Sequence, residues 1–271
     1  MKLVISIIII AVIFVVALRL ISRKLLYFPV PLDRGRQEYL TKLDPSVKEI
    51  AVTAQDGISL HGWIIEKDTE KQPFIFYFGG NAEEVSLNIE DYLEKVAANV
   101  VLVNYRGYGL SGGRPSEDLL KQDALLVFDE VSKLYGIKPE NSMAWGRSLG
   151  SSIASYLVLQ RNLGGLILTC PFDSIEAVAA NFYPAFLVSM VLTDRHRTID
   201  FAGNINSRAL ILAASEDEII PMVRTQALYD SLTALKKQVV IKNAGHNTIS
   251  EFRGYYEAVN EFIGNPKELK Q

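Results

Sequence analysis

The chain holds a single cysteine, Cys170, in 271 residues. One thiol excludes an internal disulfide and any multi-cysteine zinc site, and its position after the apolar run Leu166–Thr169 marks it as buried and chemically quiet. Histidine is scarce as well. His61, His196 and His246 are the three in the sequence, so chemistry that needs an imidazole has three candidates. A basic excess is also missing: 28 Lys and Arg stand against 31 Asp and Glu, a net charge of −3. Four of the basic groups lie in residues 1–24, which carry no acid, so the remainder is clearly acidic. That balance excludes a nucleic-acid partner held by its phosphates. No internal repeat or low-complexity tract is present.

What the chain does have begins at its first residues. Leu3 to Leu18 is apolar except for Ser6, flanked by Lys2 and Arg19. Continued through Leu20 and Ile21, it reaches the roughly twenty residues needed to cross a bilayer as a helix. The run is long for the apolar part of a cleaved signal peptide, although Val15-Val16-Ala17 loosely suits cleavage, and an uncleaved single-pass anchor over 1–22 is expected. Arg19, Arg23, Lys24, Arg34 and Arg36 on the C-terminal flank outnumber Lys2 and the amino terminus, which leans the following domain toward the cytoplasm. Tyr27 and Phe28, then Pro29 and Pro31, read as an interfacial aromatic pair opening a stiff linker over 23–46.

From Val47 onward, short runs rich in β-branched residues alternate with helical patterns. Val47–Ala54 and Ile58–Ile65 flank Gln55-Asp56-Gly57, a hairpin signal. Strands are expected at Pro73–Phe78, Val100–Asn104, Ser142–Trp145, Leu166–Cys170, Ala209–Ala213 and Gln238–Ile241. Helices are expected at 82–97, at 116–135 behind the start signal Ser116-Glu117-Asp118, from the residue after Leu149 to Gln160, at 222–234 and at 249–263. This order predicts an α/β protein of the α/β-hydrolase fold over 47–265, with about eight strands, mostly parallel, helices on both faces and an antiparallel edge. The one long interruption, 171–208, holds Phe182, Tyr183, Phe186 and Met190. So long a structureless loop is improbable in a compact domain, and a small helical cap is expected there, with Phe182, Tyr183 and Phe186 contacting substrate; its other reading is a plain surface-packing excursion.

The sharpest local pattern is Met143-Ala144-Trp145-Gly146-Arg147-Ser148-Leu149-Gly150, a strand running through G-x-S-x-G into a helix. In such a nucleophile elbow the serine is held in a strained turn, its hydroxyl clear of the sheet and beside a helix N-terminus. Gly109-Leu110-Ser111-Gly112-Gly113 repeats the letters, but Arg114-Pro115 continues a loop, so Ser111 is read as a loop serine. A serine hydroxyl needs a positioned base. His246, in the loop after the last strand, sits at the C-terminal edge of the sheet and satisfies the order serine, acid, histidine. The acid should follow strand Ala209–Ala213, where Glu216-Asp217-Glu218 offers three carboxylates. Asp217 has the spacing from strand and proline that suits the role, with Glu216 and Glu218 as solvated neighbours. For the oxyanion, backbone N–H groups of Leu149 and Asn81 are expected, with Gly80 beside the substrate. The loop Gly79-Gly80-Asn81-Ala82 is small enough for close approach; its other reading is a plain turn before a helix.

Several of these segments together resemble the bud-emergence-type α/β-hydrolase-domain serine hydrolases. They are Gly146–Gly150, the loop Gly79-Gly80-Asn81-Ala82-Glu83, Asn104-Tyr105-Arg106-Gly107-Tyr108-Gly109-Leu110-Ser111-Gly112, and the anchor leading into Leu25-Leu26-Tyr27-Phe28-Pro29. The resemblance spans nearly the whole chain. It implies ester or thioester hydrolysis with no metal and no organic cofactor, and some relatives deacylate proteins. One departure is Gly79-Gly80, where the family usually has histidine-glycine. The expected partners are a small or lipid-like acyl substrate, or an acylated protein, and a membrane. The rival expectations are a non-catalytic binding protein on the same fold and an exported soluble esterase.

Overall fold

The computed structural model describes residues 2–265. Its elements are α1 (Lys2–Leu26), α2 (Arg34–Leu43), β1 (Val47–Thr53), β2 (Ser59–Ile65), β3 (Phe74–Phe78), α3 (Ile89–Lys95), β4 (Asn99–Val103), α4 (Glu117–Tyr135), β5 (Ser142–Arg147), α5 (Gly150–Arg161), β6 (Gly165–Thr169), α6 (Ile175–Ala179), α7 (Ala185–Val191), β7 (Arg208–Ala214), α8 (Met222–Ser231), β8 (Lys236–Ile241) and α9 (Arg253–Gly264). The strands form one sheet in the order β1-β2-β4-β3-β5-β6-β7-β8. β1 and β2 pair antiparallel, as do β2 and β4, and every later pair is parallel. This is the α/β-hydrolase fold expected above.

Strands covered on both faces must be apolar on both, and β3, β4 and β6 are buried at every position. Alternate residues feed two separate cores. Phe76, Val101, Ala144, Leu168 and Ile211 pack with α4 and α5, whereas Tyr77, Leu102, Trp145, Ile167 and Leu212 pack with α3 and α9. Trp145 anchors the second core: it stacks on Tyr92, meets Tyr77 edge-on, and donates from Nε1 to Thr169 Oγ1 at 3.0 Å. These contacts fix the C-terminal end of β5, one turn before Ser148.

Two stretches differ from their sequence reading. Residues 23–46, expected as a linker, carry the last turn of α1 and all of α2, whose Leu40 is fully buried and whose N-cap Asp33 accepts from Arg36 N. Tyr27 is buried in the core there rather than lying at an interface. The helix expected over 82–97 is confined to a 3-10 turn, Val85–Asn88, followed by α3. Residues 79–84 form a loop with a turn at Asn81-Ala82 rather than a helical start, and two acidic side chains organise it. Glu83 accepts from Gly80 N at 2.9 Å, and Glu84 accepts from Asn104 Nδ2 at 2.7 Å and from Ser86 Oγ.

α1 includes an apolar stretch, Val4–Leu26, with a mean hydropathy of 3.2 over its most apolar 18 residues, long and apolar enough to cross a membrane.

Candidate active site

Ser148 lies between the last residue of β5 and the first turn of α5, with φ at +51°. A non-glycine residue is rare in that left-handed region and is held there by its surroundings. The flanking glycines are steric requirements. A Cβ on Gly150 would stand 2.0 Å from Phe78 O, and one on Gly146 would stand 2.3 Å from Gly150 O. Ser148 N donates to Thr169 O at 2.9 Å, which ties the elbow to β6.

The histidine loop and the acid loop meet beside it. His246 Nδ1 donates to Asp217 Oδ2 at 2.9 Å, and both side chains are nearly enclosed, 4% and 6% exposed. Asp217 Oδ1 also accepts from Ile219 N at 3.0 Å and Ile220 N at 2.7 Å, so the carboxylate cannot rotate away. Burial pushes the Asp217 carboxyl up, but the hydrogen bond and charge of His246 and these two backbone groups outweigh it and hold it below the usual range. His246 N donates to Glu218 Oε2 at 3.1 Å, which gives that neighbouring acid a role in holding the loop. Cys170 sits within 4.8 Å of both Asp217 and His246, and burial, with Asp217 next in weight, pushes its thiol well up and keeps it protonated.

A cavity of about 360 Å³ gathers the expected groups: Ser148, Leu149, Gly80, Asn81 and His246 all line it. His246 Nε2 and Ser148 Oγ bond to no other described residue, and they are not hydrogen-bonded to each other. Unliganded catalytic sites commonly show such open geometry, which tightens on substrate binding. In the loop after β3, the N–H of Gly80 is taken by Glu83, whereas that of Asn81 meets no acceptor among the described residues. The Leu149 N–H is likewise unpaired at the head of α5. The loop is braced at Asn81, whose side chain donates to Leu26 O at 3.0 Å and whose carbonyl accepts from Phe28 N and Tyr108 Oη.

The other candidates fall elsewhere. Phe182, Tyr183 and Phe186 do not line the cavity; they point outward, 58%, 66% and 67% exposed, and the cap wall is made by Ile175, Val178 and Ala179 of α6. The cause is local. α6 ends at Ala179, and its C-terminal turn carries the aromatics over the rim. His61 is buried in β2 against Glu49, and His196 is fully buried under the cap, bonded to Tyr27 and Ser152. Ser111 accepts from His61 N and donates to Asn104 O, a loop-binding serine.

Sequence reasoning did not find Arg147 and Glu83. Arg147 Nη1 donates to Glu83 Oε2 at 2.8 Å, while Nη2 reaches Asn247 Oδ1 at 2.9 Å and His246 O at 3.3 Å. Glu83 also accepts from Tyr77 Oη at 2.6 Å and Asn88 Nδ2 at 2.7 Å. A charged side chain inside an otherwise apolar strand end was the available signal.

With the fold and this geometry established, comparison with known proteins gives the class. The chain is similar to an uncharacterized protein of Mycobacterium tuberculosis, 29% identical over 255 residues that cover 92% of this chain and 90% of that one. It is also similar to the α/β-hydrolase domain-containing protein WAV2 of Arabidopsis thaliana, at 28% identity over 80% of this chain and 77% of the relative. Human α/β-hydrolase domain-containing protein 17C is 27% identical over 70% of this chain and 58% of its own length. Among solved structures, an esterase of Pyrococcus furiosus superposes with a TM-score of 0.69 at 18% identity, covering 89% of this chain and 99% of that one. An α/β hydrolase of Vibrio vulnificus superposes with a TM-score of 0.64 at 21% identity, over 86% and 84%. No family model matches the chain. The chain is thus a homologue of α/β-hydrolase domain-containing proteins, built on the α/β-hydrolase fold.

Proposed function

We propose that this protein is a membrane-anchored serine hydrolase of the bud-emergence type that cleaves carboxylic esters or thioesters. The observation that carries the reading is the His246–Asp217 hydrogen bond of 2.9 Å beside a cavity shared with Ser148 in its left-handed turn. Ser148 Oγ attacks the acyl carbonyl as His246 Nε2 takes its proton, and Asp217 holds the ring tautomer and stabilises the imidazolium. The tetrahedral oxyanion is received by the N–H groups of Asn81 and Leu149. On collapse, His246 returns the proton to the departing alcohol or thiol and leaves an acyl-Ser148 ester. Water deprotonated by His246 attacks that ester, and the carboxylic acid leaves.

The apolar lining from Leu26, Ile175, Val178, Ala179, Ile219 and Ile220 favours an acyl chain over a polar substituent. Anchoring through α1 would raise the local concentration of lipid-borne substrates, and the basic flank Arg19, Arg23 and Lys24 supports a cytoplasmic domain. Labelling with a serine-reactive fluorophosphonate tests the reading. Wild type should label and Ser148→Ala should not, whereas equal labelling removes the enzyme and leaves a binding protein. Screening p-nitrophenyl esters and acyl thioesters across chain lengths then assigns the substrate class.

A further inference from the structure

α1 does not leave the domain as a free stalk. Arg19 Nη1 donates to Met190 O at 3.0 Å, Ser22 Oγ meets Thr193 Oγ1 at 2.9 Å, and Arg23 Nε donates to Asp194 Oδ1 at 3.1 Å. Asp194 is buried and also accepts from Tyr27 Oη at 2.8 Å and Glu117 N at 2.9 Å, so the joint is built into the domain. These bonds fix the height of the cap along the helix. Arg19 is the first cation after the long apolar run, and an arginine there carries its guanidinium to the headgroup layer. A carbonyl bonded to that guanidinium belongs to the same layer.

The surface that α7 presents at that level is apolar. Asn181 to Phe186 is exposed throughout, and Phe182, Tyr183, Phe186 and Met190 are large apolar groups left in the open. Exposed aromatics in a group, next to an apolar helix, are the residues a membrane interface takes up. One end of the cap is α6, which walls the cavity with Ile175 and Val178. The other end is α7, which packs on α1, and Leu26 of α1 is itself part of the cavity wall. Apolar residues of both α1 and α6, Leu26 on one side and Ile175 and Val178 on the other, therefore flank the cavity that holds Ser148.

We propose that the face carrying Phe182, Tyr183, Phe186 and Met190 is seated in the interfacial layer of the lipid leaflet that α1 crosses. Acyl chains pass sideways from that leaflet into the Ser148 cavity between Leu26 and α6. This rests on the hydrolase reading for its substrate, but its location claim is independent.

The test uses the full chain reconstituted in phosphatidylcholine vesicles. Phe186→Cys carries an environment-sensitive nitrobenzoxadiazole label, and Glu140→Cys, exposed at the opposite end of the strands, is the control. Phosphatidylcholine spin-labelled near the headgroup should quench the label at 186 and spare the one at 140; equal quenching at both positions, or none at 186, overturns the proposal. In a second arm, Phe182→Ser, Tyr183→Ser and Phe186→Ser combined should lower the ratio of vesicle-borne long-chain ester turnover to soluble p-nitrophenyl butyrate turnover by about tenfold. An unchanged ratio overturns lateral delivery. If wild type hydrolyses neither ester, the hydrolase reading fails, and the quenching arm still decides where the cap sits.

Discussion

Arg147 is bonded to Glu83 at 2.8 Å, so the residue before Ser148 grips the loop that carries Asn81. The same guanidinium holds the carbonyl of His246 and the side chain of Asn247. Three loops that must agree in position are thereby fastened to one planar cation, whose fork of donors suits several acceptors at once. Burial alone would push the Glu83 carboxyl up. The Arg147 charge, the Gly80 N–H and the Tyr77 hydroxyl outweigh it and hold the carboxyl below its usual range, so Glu83 is an anion at neutral pH.

Glu83→Gln keeps the shape and removes the charge. It leaves the half-buried Arg147 without its counter-ion, which costs about 1–3 kcal/mol for a charged group stripped of its partner. Urea unfolding of the detergent-solubilised variant should show that loss. The free loop should also lower kcat by about tenfold with little change in KM, because in the proposed reaction the Asn81 N–H acts on the oxyanion and not on the bound ester. A variant with wild-type kcat and a wild-type urea midpoint would remove the positioning role.

Asp217→Asn tests the acid separately. The amide can still bond His246 Nδ1, but it favours the tautomer that leaves Nε2 protonated and unable to act as base. A loss of about 10⁴-fold in kcat is the expected scale, with fluorophosphonate labelling slowed in parallel and far-UV circular dichroism unchanged. If Glu218→Gln produced the loss and Asp217→Asn did not, the acid would have been assigned one residue away from its true position.

Gly150→Ala places a methyl 2.0 Å from Phe78 O, and backbone cannot yield as a flexible side chain does. The head of α5 must shift away from β3, which moves the Leu149 N–H relative to that of Asn81. Reduced labelling of Ser148, with a thermal midpoint several degrees lower, is expected at about 1–3 kcal/mol of destabilisation. Gly136→Ala makes a contrasting control: a Cβ there meets nothing within 4 Å, so only the backbone strain of its φ of +65° is felt.

Much of the sheet could be read in advance because strands buried on both faces leave uninterrupted apolar runs, as Phe74–Phe78 and Gly165–Thr169 do. The elbow was legible for a related reason: a tight strand-to-helix crossing admits only glycine at 146 and 150, and that requirement is written in the letters. Residues whose position depends on distant partners were not legible. Tyr27 looks like an interfacial aromatic until Asp194 and His196, far along the chain, claim its hydroxyl. Phe182, Tyr183 and Phe186 look like pocket lining because apolar residues in a cap usually are, but where α6 ends decides which way they point. Glu83 reads as an ordinary helix-start acid, and nothing near it in sequence announces Arg147.

The junction between α1 and the cap contains a group that makes stability depend on pH. His196 is fully buried, with Tyr27 Oη at 2.9 Å from Nε2 and Ser152 Oγ at 2.7 Å from Nδ1. Tyr27 spends its proton on Asp194, so Nε2 donates to the tyrosine oxygen and Ser152 donates to Nδ1, an arrangement that suits the neutral ring. Burial pushes its pKa down from 6.5 to about 4, although Glu117 and Asp194 nearby pull the other way and Lys121 reinforces the fall. The unfolded chain therefore takes up a proton near pH 6.5 that the folded chain refuses until about pH 4. Stability from this group is complete above pH 6.5 and drains away between there and about 4, by roughly 3 kcal/mol if the whole shift is realised. Glu117, held down to about 2 against burial by His196 and Lys121, gives up its own contribution in a lower window, from 4.5 toward 2. Urea unfolding from pH 7 to pH 4.5 should thus steepen below pH 6.5 in wild type. In His196→Gln the slope over that range should flatten by about one proton. Equal slopes in the two proteins would show that the ring is not the titrating group, and that acid loosens the joint between α1 and the cap through some other pair.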